Sequence, residues 1–241
     1  MRTLFYILPT ILLAAACQSS SYRSTGARPS IDDSTLMSVP VGDRDGLQEA
    51  RSEHSAATDR VAMAQREVEI AKEQVTLDKQ AVKIASAELE AADDRMKMAL
   101  KSDASDRKDR IEDAQQRLHG SGAHLEWTRS QVRLDNGRVA LREAGVKLAE
   151  QRVRVANAKV ELAKAAAVSE LERPDLEPID VAAFERSVAE EEIGLKMAQV
   201  DVDASEKKME LQREALDACA KAVPSDYRKM KSKTSEAASR N

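Results

Sequence analysis

The sequence has few aromatic residues, few cysteines and no long apolar run near its start. Aromatic side chains make up only 2% of the 241 residues, so few bulky side chains are available to fill a core. The only cysteines, Cys17 and Cys219, cannot form a framework of several disulfides. The N-terminal apolar run, residues 4–16, is shorter than the roughly 20 residues that a membrane-spanning helix needs. These absences exclude a disulfide scaffold and an N-terminal transmembrane helix.

Charged residues and small apolar residues dominate instead. Charged side chains account for 33% of the chain, and the 42% hydrophobic share consists mainly of Ala, Val and Leu. This composition is typical of coiled coils. The formal net charge of −4 and the sequence pI of about 5.6 argue against nucleic-acid binding by the chain as a whole.

Apolar residues recur every seven positions over most of the chain. The first column of this repeat runs from Val61 to Met96, from Ile111 to Val160 and from Val181 to Val223. Such strict recurrence predicts long helices that supercoil against partner helices. The fold class we expect is therefore all-α, with antiparallel coiled-coil helices arranged as a helical hairpin or an elongated three-helix bundle.

A second apolar column lies two positions after the first, for example at Met63, Ile70, Leu77, Ile84 and Met98. Residues two apart on a helix point in nearly opposite directions, so these helices carry two apolar stripes. Small residues flank the first stripe, among them Ala57, Ala64, Ala71, Ala85 and Ala92. Since a helix with two stripes needs neighbours on both sides, the pattern favours a multi-helix bundle or a higher oligomer.

Two interruptions divide the helical region. Pro174 and Pro178 require a loop over residues 172–180, with Asp175 or Asp180 as the next helix cap. The periodic stretch 47–171 forms a hairpin whose turn we expect near 101–106, with the sequence HGSG at 119–122 as the alternative. The expected helices are 47–100, 107–171 and 180–223.

The segments outside the repeats are polar. Residues 17–46 are rich in Ser, Pro, Gly and Asp and predict a flexible tether. Residues 224–241 predict a disordered tail whose basic cluster could bind an anionic surface; the cluster consists of Arg228, Lys229, Lys231 and Lys233.

The N-terminus has the parts of an export signal, namely Arg2, the apolar run and then small residues. The stretch Leu13-Ala14-Ala15-Ala16-Cys17 resembles the lipobox of bacterial lipoproteins. The resemblance implies that residues 1–16 are a signal peptide and that Cys17 carries covalent lipid, such as palmitate. It also implies transfer to the outer membrane, because Gln18 stands where Asp would favour retention at the inner membrane. A plain signal peptide that ends near a cysteine is the alternative.

The sequence offers no motif for catalysis. His54, His119 and His124 lack the spacing of metal ligands, and we expect His119 and His124 to face solvent. The stretch HGSG lacks the spacing of a phosphate-binding loop. We therefore predict no enzyme activity, no metal and no cofactor other than the lipid.

Cys219 lies three residues after Leu216, on the first-stripe face of the last helix. It is either a small buried apolar residue or the site of a disulfide between two copies packed in parallel.

These observations favour a lipid-anchored coiled-coil scaffold or interaction protein of the bacterial envelope, facing the periplasm. We expect it to associate with itself or with the helices of a partner. One alternative is an adaptor-like hairpin of a trans-envelope export system, and another is a regulator of a cell-wall enzyme.

Overall fold

The computed structural model describes residues 28–37, 39–102, 105–171 and 178–225, and this part of the chain is helical without a strand. A four-residue helix and a 3-10 turn precede three long helices, so the predicted all-α fold is confirmed. The elements are α1 (Asp33–Leu36), the 3-10 turn (Val41–Arg44), α2 (Asp45–Lys101), α3 (Arg107–Ser169) and α4 (Val181–Ala222).

The ends of the long helices follow local signals. Helix α2 ends at Lys101 and α3 begins at Arg107, and the alternative turn site at 119–122 lies inside α3. Asp180 caps α4, since its carboxylate accepts a hydrogen bond from the backbone N–H of Ala183 at 3.3 Å. The other predicted cap, Asp175, lies outside the described residues.

The three long helices lie in a row with α3 in the middle. On one side, Arg142 of α3 binds Glu67 of α2 at 2.6 Å, and Lys159 binds Glu53 at 3.6 Å. The later residue of α3 pairs with the earlier residue of α2, so the two helices run in opposite directions.

On its other side, α3 packs antiparallel to α4. Gln151 Nε2 donates to Glu191 Oε2 at 2.6 Å, and the earlier Ser130 meets the later Cys219 at 3.3 Å. Within the described residues, α2 and α4 make hardly any direct contact. The arrangement is a layer of three helices and not a closed bundle.

Helix α3 occupies the middle, and every residue of its two apolar stripes is buried or half-buried. Leu125 and Val160 of the first stripe are buried, and so are Leu134, Leu148 and Val155 of the second. The two stripes point to opposite sides of the helix, so α2 and α4 cover one each.

Small residues bring α2 and α3 close together. The column that flanks the first stripe is mostly buried on both helices, and most of its positions have room only for short side chains. Its buried members include Ala57, Ala85, Ala92 and Ala99 of α2 and Ala114, Ser121, Thr128, Ala149 and Ala156 of α3.

Part of the predicted tether is folded, which corrects the expectation for residues 28–46. Leu36 and Val39 are buried in a cluster with Leu47 of α2 and Val168 of α3. The Arg44 guanidinium donates to the backbone carbonyls of Leu36 at 2.8 Å and Val39 at 2.9 Å. The sequence did not reveal this docking because two isolated apolar residues have no period.

Polar contacts hold the same segment against the C-terminal part of α3. The ammonium group of the buried Lys164 lies 2.8 Å from Asp33 and 2.9 Å from Glu161. The backbone N–H of Ile31 donates to the Glu161 carboxylate at 2.8 Å. The remainder of the predicted tether up to residue 27, with Cys17, and the tail from residue 226 onward lie outside the described residues.

Candidate functional site

The second apolar stripe of α2 is exposed along the outer edge of the layer. We call it the α2 outer stripe, and its residues expose between 55% and 70% of their surface: Met63, Ile70, Leu77, Ile84 and Met98. Ala91 stands at the position of the repeat between Ile84 and Met98 and is also exposed. Of the long helices in the described structure, α2 packs mainly against α3, and the outer stripe stays exposed.

A column of mostly polar residues runs beside the α2 outer stripe; it starts at Asp59, one heptad before Arg66, and from Arg66 onward lies three residues after each position of the stripe. We call it the border column. All of its members are exposed, and in order they are Asp59, Arg66, Glu73, Gln80, Ala87, Asp94 and Lys101. The order of charges along this column restricts which surface the stripe can pack against.

Helix α4 carries a shorter exposed stripe on the opposite edge of the layer. It consists of Ile193, Met197, Val200 and Leu211. Ala204 and Lys207 separate Val200 from Leu211, which leaves a gap in the apolar surface. The stripe on α2 is therefore the longer and more regular of the two.

Two carboxylates face each other between α2 and α3. Asp78 and Asp135 expose only 6% and 2% of their surface. In the described structure the Oδ2 atom of each carboxylate is buried without a hydrogen-bond partner. Gln74 donates to Asp78 at 3.0 Å, and Arg138 donates to Asp135 at 2.5 Å.

This pair was not predicted from the sequence, although the sequence contains a signal for it. Asp78 stands in the column of small residues where Ala71 and Ala85 are its neighbours in the repeat. Burial, together with the adjacent Asp135 carboxylate, raises the pKa of Asp78 to about 6, while a hydrogen bond from Gln74 acts in the opposite direction. A proton on Asp78 removes the repulsion between the two carboxylates.

Cys219 lies at the contact between α4 and α3. It is half-buried, and its Sγ atom lies 3.3 Å from the Ser130 hydroxyl oxygen. This position fits the interpretation of Cys219 as a packing residue. A disulfide at Cys219 between two copies stays a prediction.

The histidines differ in their surroundings. His124, which we expected to face solvent, packs against Trp127 with ring centroids 5.8 Å apart. Its Nδ1 atom lies 3.5 Å from a Glu88 carboxylate oxygen of α2. His119 is exposed and His54 is half-buried. In the described part of the chain, no group of three or more His, Cys, Asp or Glu residues is arranged to hold a metal ion.

Comparisons with protein-family models, with curated proteins and with solved structures gave no match to this chain. Among the described helices, none combines the length and the apolar character needed to cross a membrane.

Proposed function

We propose that this chain is a non-enzymatic interaction protein of the bacterial cell envelope, held on the outer membrane by lipid on Cys17 and facing the periplasm. The observation that carries the proposal is the α2 outer stripe. A continuous row of exposed apolar side chains with polar borders marks a surface that another molecule covers.

The shape of the layer supports binding over catalysis. Its stripes run along slender helices, and such elongated surfaces are suited to helix-on-helix recognition. An enzyme site usually requires a concave pocket that shields the substrate from water. The proposal therefore assigns no reaction to the chain.

The lipobox resemblance supports the location. Two or more acyl chains hold a protein stably on a membrane, since each buried CH₂ contributes about 0.8 kcal/mol. The described structure begins at Arg28, eleven positions after Cys17, and a chain of this length spans at most about 40 Å. The docking of residues 28–44 on α3 thus supports a helical layer that stays near the membrane carrying the lipid.

Mass spectrometry of the N-terminal peptide, released from protein purified from membranes, tests the anchor. We expect Cys17 to be the first residue and to carry acyl chains. We expect Cys17→Ala to remain unprocessed and unacylated. A mature chain that lacks acyl groups on Cys17 contradicts the anchor.

In-cell crosslinking tests the interaction surface. A photoreactive residue at Leu77 should capture a protein, whereas one at the exposed Thr76, on another side of α2, should not. An export channel or a cell-wall enzyme captured from Leu77 would favour one of the two alternative functions. Equal labelling from both positions would contradict a specific surface.

A further inference from the structure

We infer that the α2 outer stripe binds the same stripe of a second copy of this chain, with the two α2 helices antiparallel. The inference rests on the proposed function as an interaction protein and names its partner. Three properties of the stripe lead to it: its apolar register, the charges of its border column and its length.

The apolar register is self-complementary about a two-fold axis between Gln80 and Ala81. In this arrangement Leu77 of one copy faces Ile84 of the other, and Met63 faces Met98. Ile70 faces Ala91, so the one small residue of the stripe meets a large one. A parallel pair would place Ala91 opposite Ala91 and leave a gap that costs packing energy.

The border column is self-complementary about almost the same axis. In an antiparallel pair of helices, the column beside the stripe on one helix faces the same column on the other helix. Asp59 then faces Lys101, and Arg66 faces Asp94. Glu73 faces Ala87, and Gln80 faces Gln80, so that no like charges meet. Each attractive pair occurs twice because the arrangement is symmetric.

Neighbouring antiparallel registers bring like charges together. A shift of one heptad in one direction places Asp59 opposite Asp94. The shift in the other direction places Arg66 opposite Lys101 and Glu73 opposite Asp94. Repulsion between directly opposed like charges disfavours both registers.

The length of the stripe suits a reversible contact. From Met63 to Met98 the helix extends over about 53 Å, and a strip roughly 10 Å wide buries roughly 1,000 Å² in total. This area is at the lower limit for a specific interface. We therefore expect a dimer with a dissociation constant in the micromolar range.

A charge exchange tests the register. Arg66→Glu and Asp94→Arg should each weaken dimerisation by about tenfold or more, because each places like charges opposite each other twice. The double variant Arg66→Glu/Asp94→Arg should recover the affinity of the original protein. In a parallel pair, the border column would face the column on the other side of the stripe, so Arg66 and Asp94 would not face each other and reversing both charges would not restore the affinity.

The measurement is sedimentation velocity of the full chain purified from membranes in detergent. Lys79→Glu is the matched control, since it reverses an exposed charge on the opposite side of α2 and should leave the dimer unchanged. Circular dichroism checks that each variant keeps its helix content. A protein that stays monomeric at high micromolar concentration, or a double variant that does not recover, overturns the inference.

Cysteine crosslinking gives a second measurement, in a Cys219→Ser background. A mixture of Met63→Cys and Met98→Cys chains should form a disulfide-linked dimer, whereas Met63→Cys alone should not exceed the background. A dimer from Met63→Cys alone would indicate a parallel pair and overturn the antiparallel arrangement.

The outcomes separate the two proposals. A monomeric chain that is acylated on Cys17 overturns this inference and leaves the membrane anchor intact. A dimer without lipid on Cys17 overturns the membrane anchor and leaves this inference intact.

Discussion

Asp78 of α2 faces Asp135 of α3 across the interface between the two helices, and both carboxylates are almost fully buried. Every other residue of the small column shown to be buried on α2 is alanine, so this pair is the polar exception in that column. Two ionised carboxylates in contact repel each other, and burial adds to the cost of charging them. The pair therefore makes the stability of the hairpin depend on pH.

The pKa of Asp78 is raised to about 6 in the folded chain, above its ordinary value of 3.8. The folded state thus holds a proton that the unfolded state releases, and this contribution to stability is lost as the pH rises from about 4 to above 6. We expect Asp78→Ala to be more stable than the original protein at pH 8, by about 1–3 kcal/mol. The advantage should shrink toward pH 4. Urea unfolding followed by circular dichroism measures the stability difference at pH 8 and at pH 4, with the exposed Glu90→Ala as the control.

A larger residue in the small column should separate α2 from α3. Ala85 is completely buried, and a leucine there would force the helices apart. We expect Ala85→Leu to lower the free energy of unfolding, measured in urea, by about 1–3 kcal/mol. Ala62→Leu makes the same change at an exposed position of α2 and should have little effect. Equal losses in the two variants would contradict the close packing of α2 on α3.

The docking of the N-terminal segment depends on Leu36, which exposes only 5% of its surface. We expect Leu36→Ala to cost about 2 kcal/mol, the lower end for a buried leucine, because the site lies at one end of the layer. Trypsin should then cleave at Arg44 faster than in the original protein. Met37→Ala, at a residue that is 83% exposed, is the control. Unchanged cleavage in Leu36→Ala would show that the segment does not rest on this side chain.

Cys219 gives a test of contacts beyond α2. In a dimer formed through α2, the two α4 helices lie on the outer edges, so their Cys219 thiols are far apart. We expect no disulfide within that dimer, and non-reducing gels of the original protein should show the monomer band. A dimer band that disappears in Cys219→Ser would support the disulfide prediction and reveal a further contact through α4.

The sequence determined the helical fold and its approximate boundaries. Heptad columns require the same face of a helix to be buried turn after turn, so the prediction of long antiparallel helices was confirmed. The predicted helices 47–100, 107–171 and 180–223 differ from α2, α3 and α4 by no more than two residues at either end. Periodic burial is a local property, which is why it can be read without a structure.

Which stripes are covered depends on how the three long helices pack. In the sequence, Met63 and Leu134 occupy equivalent second-stripe columns, yet Met63 is exposed and Leu134 is buried. The difference arises because α3 has a helix on either side, whereas α2 has one neighbour in the described layer. Likewise, only the docking on α3 shows that Leu36 and Val39 form part of a core, since their burial depends on residues more than 100 positions away in the sequence.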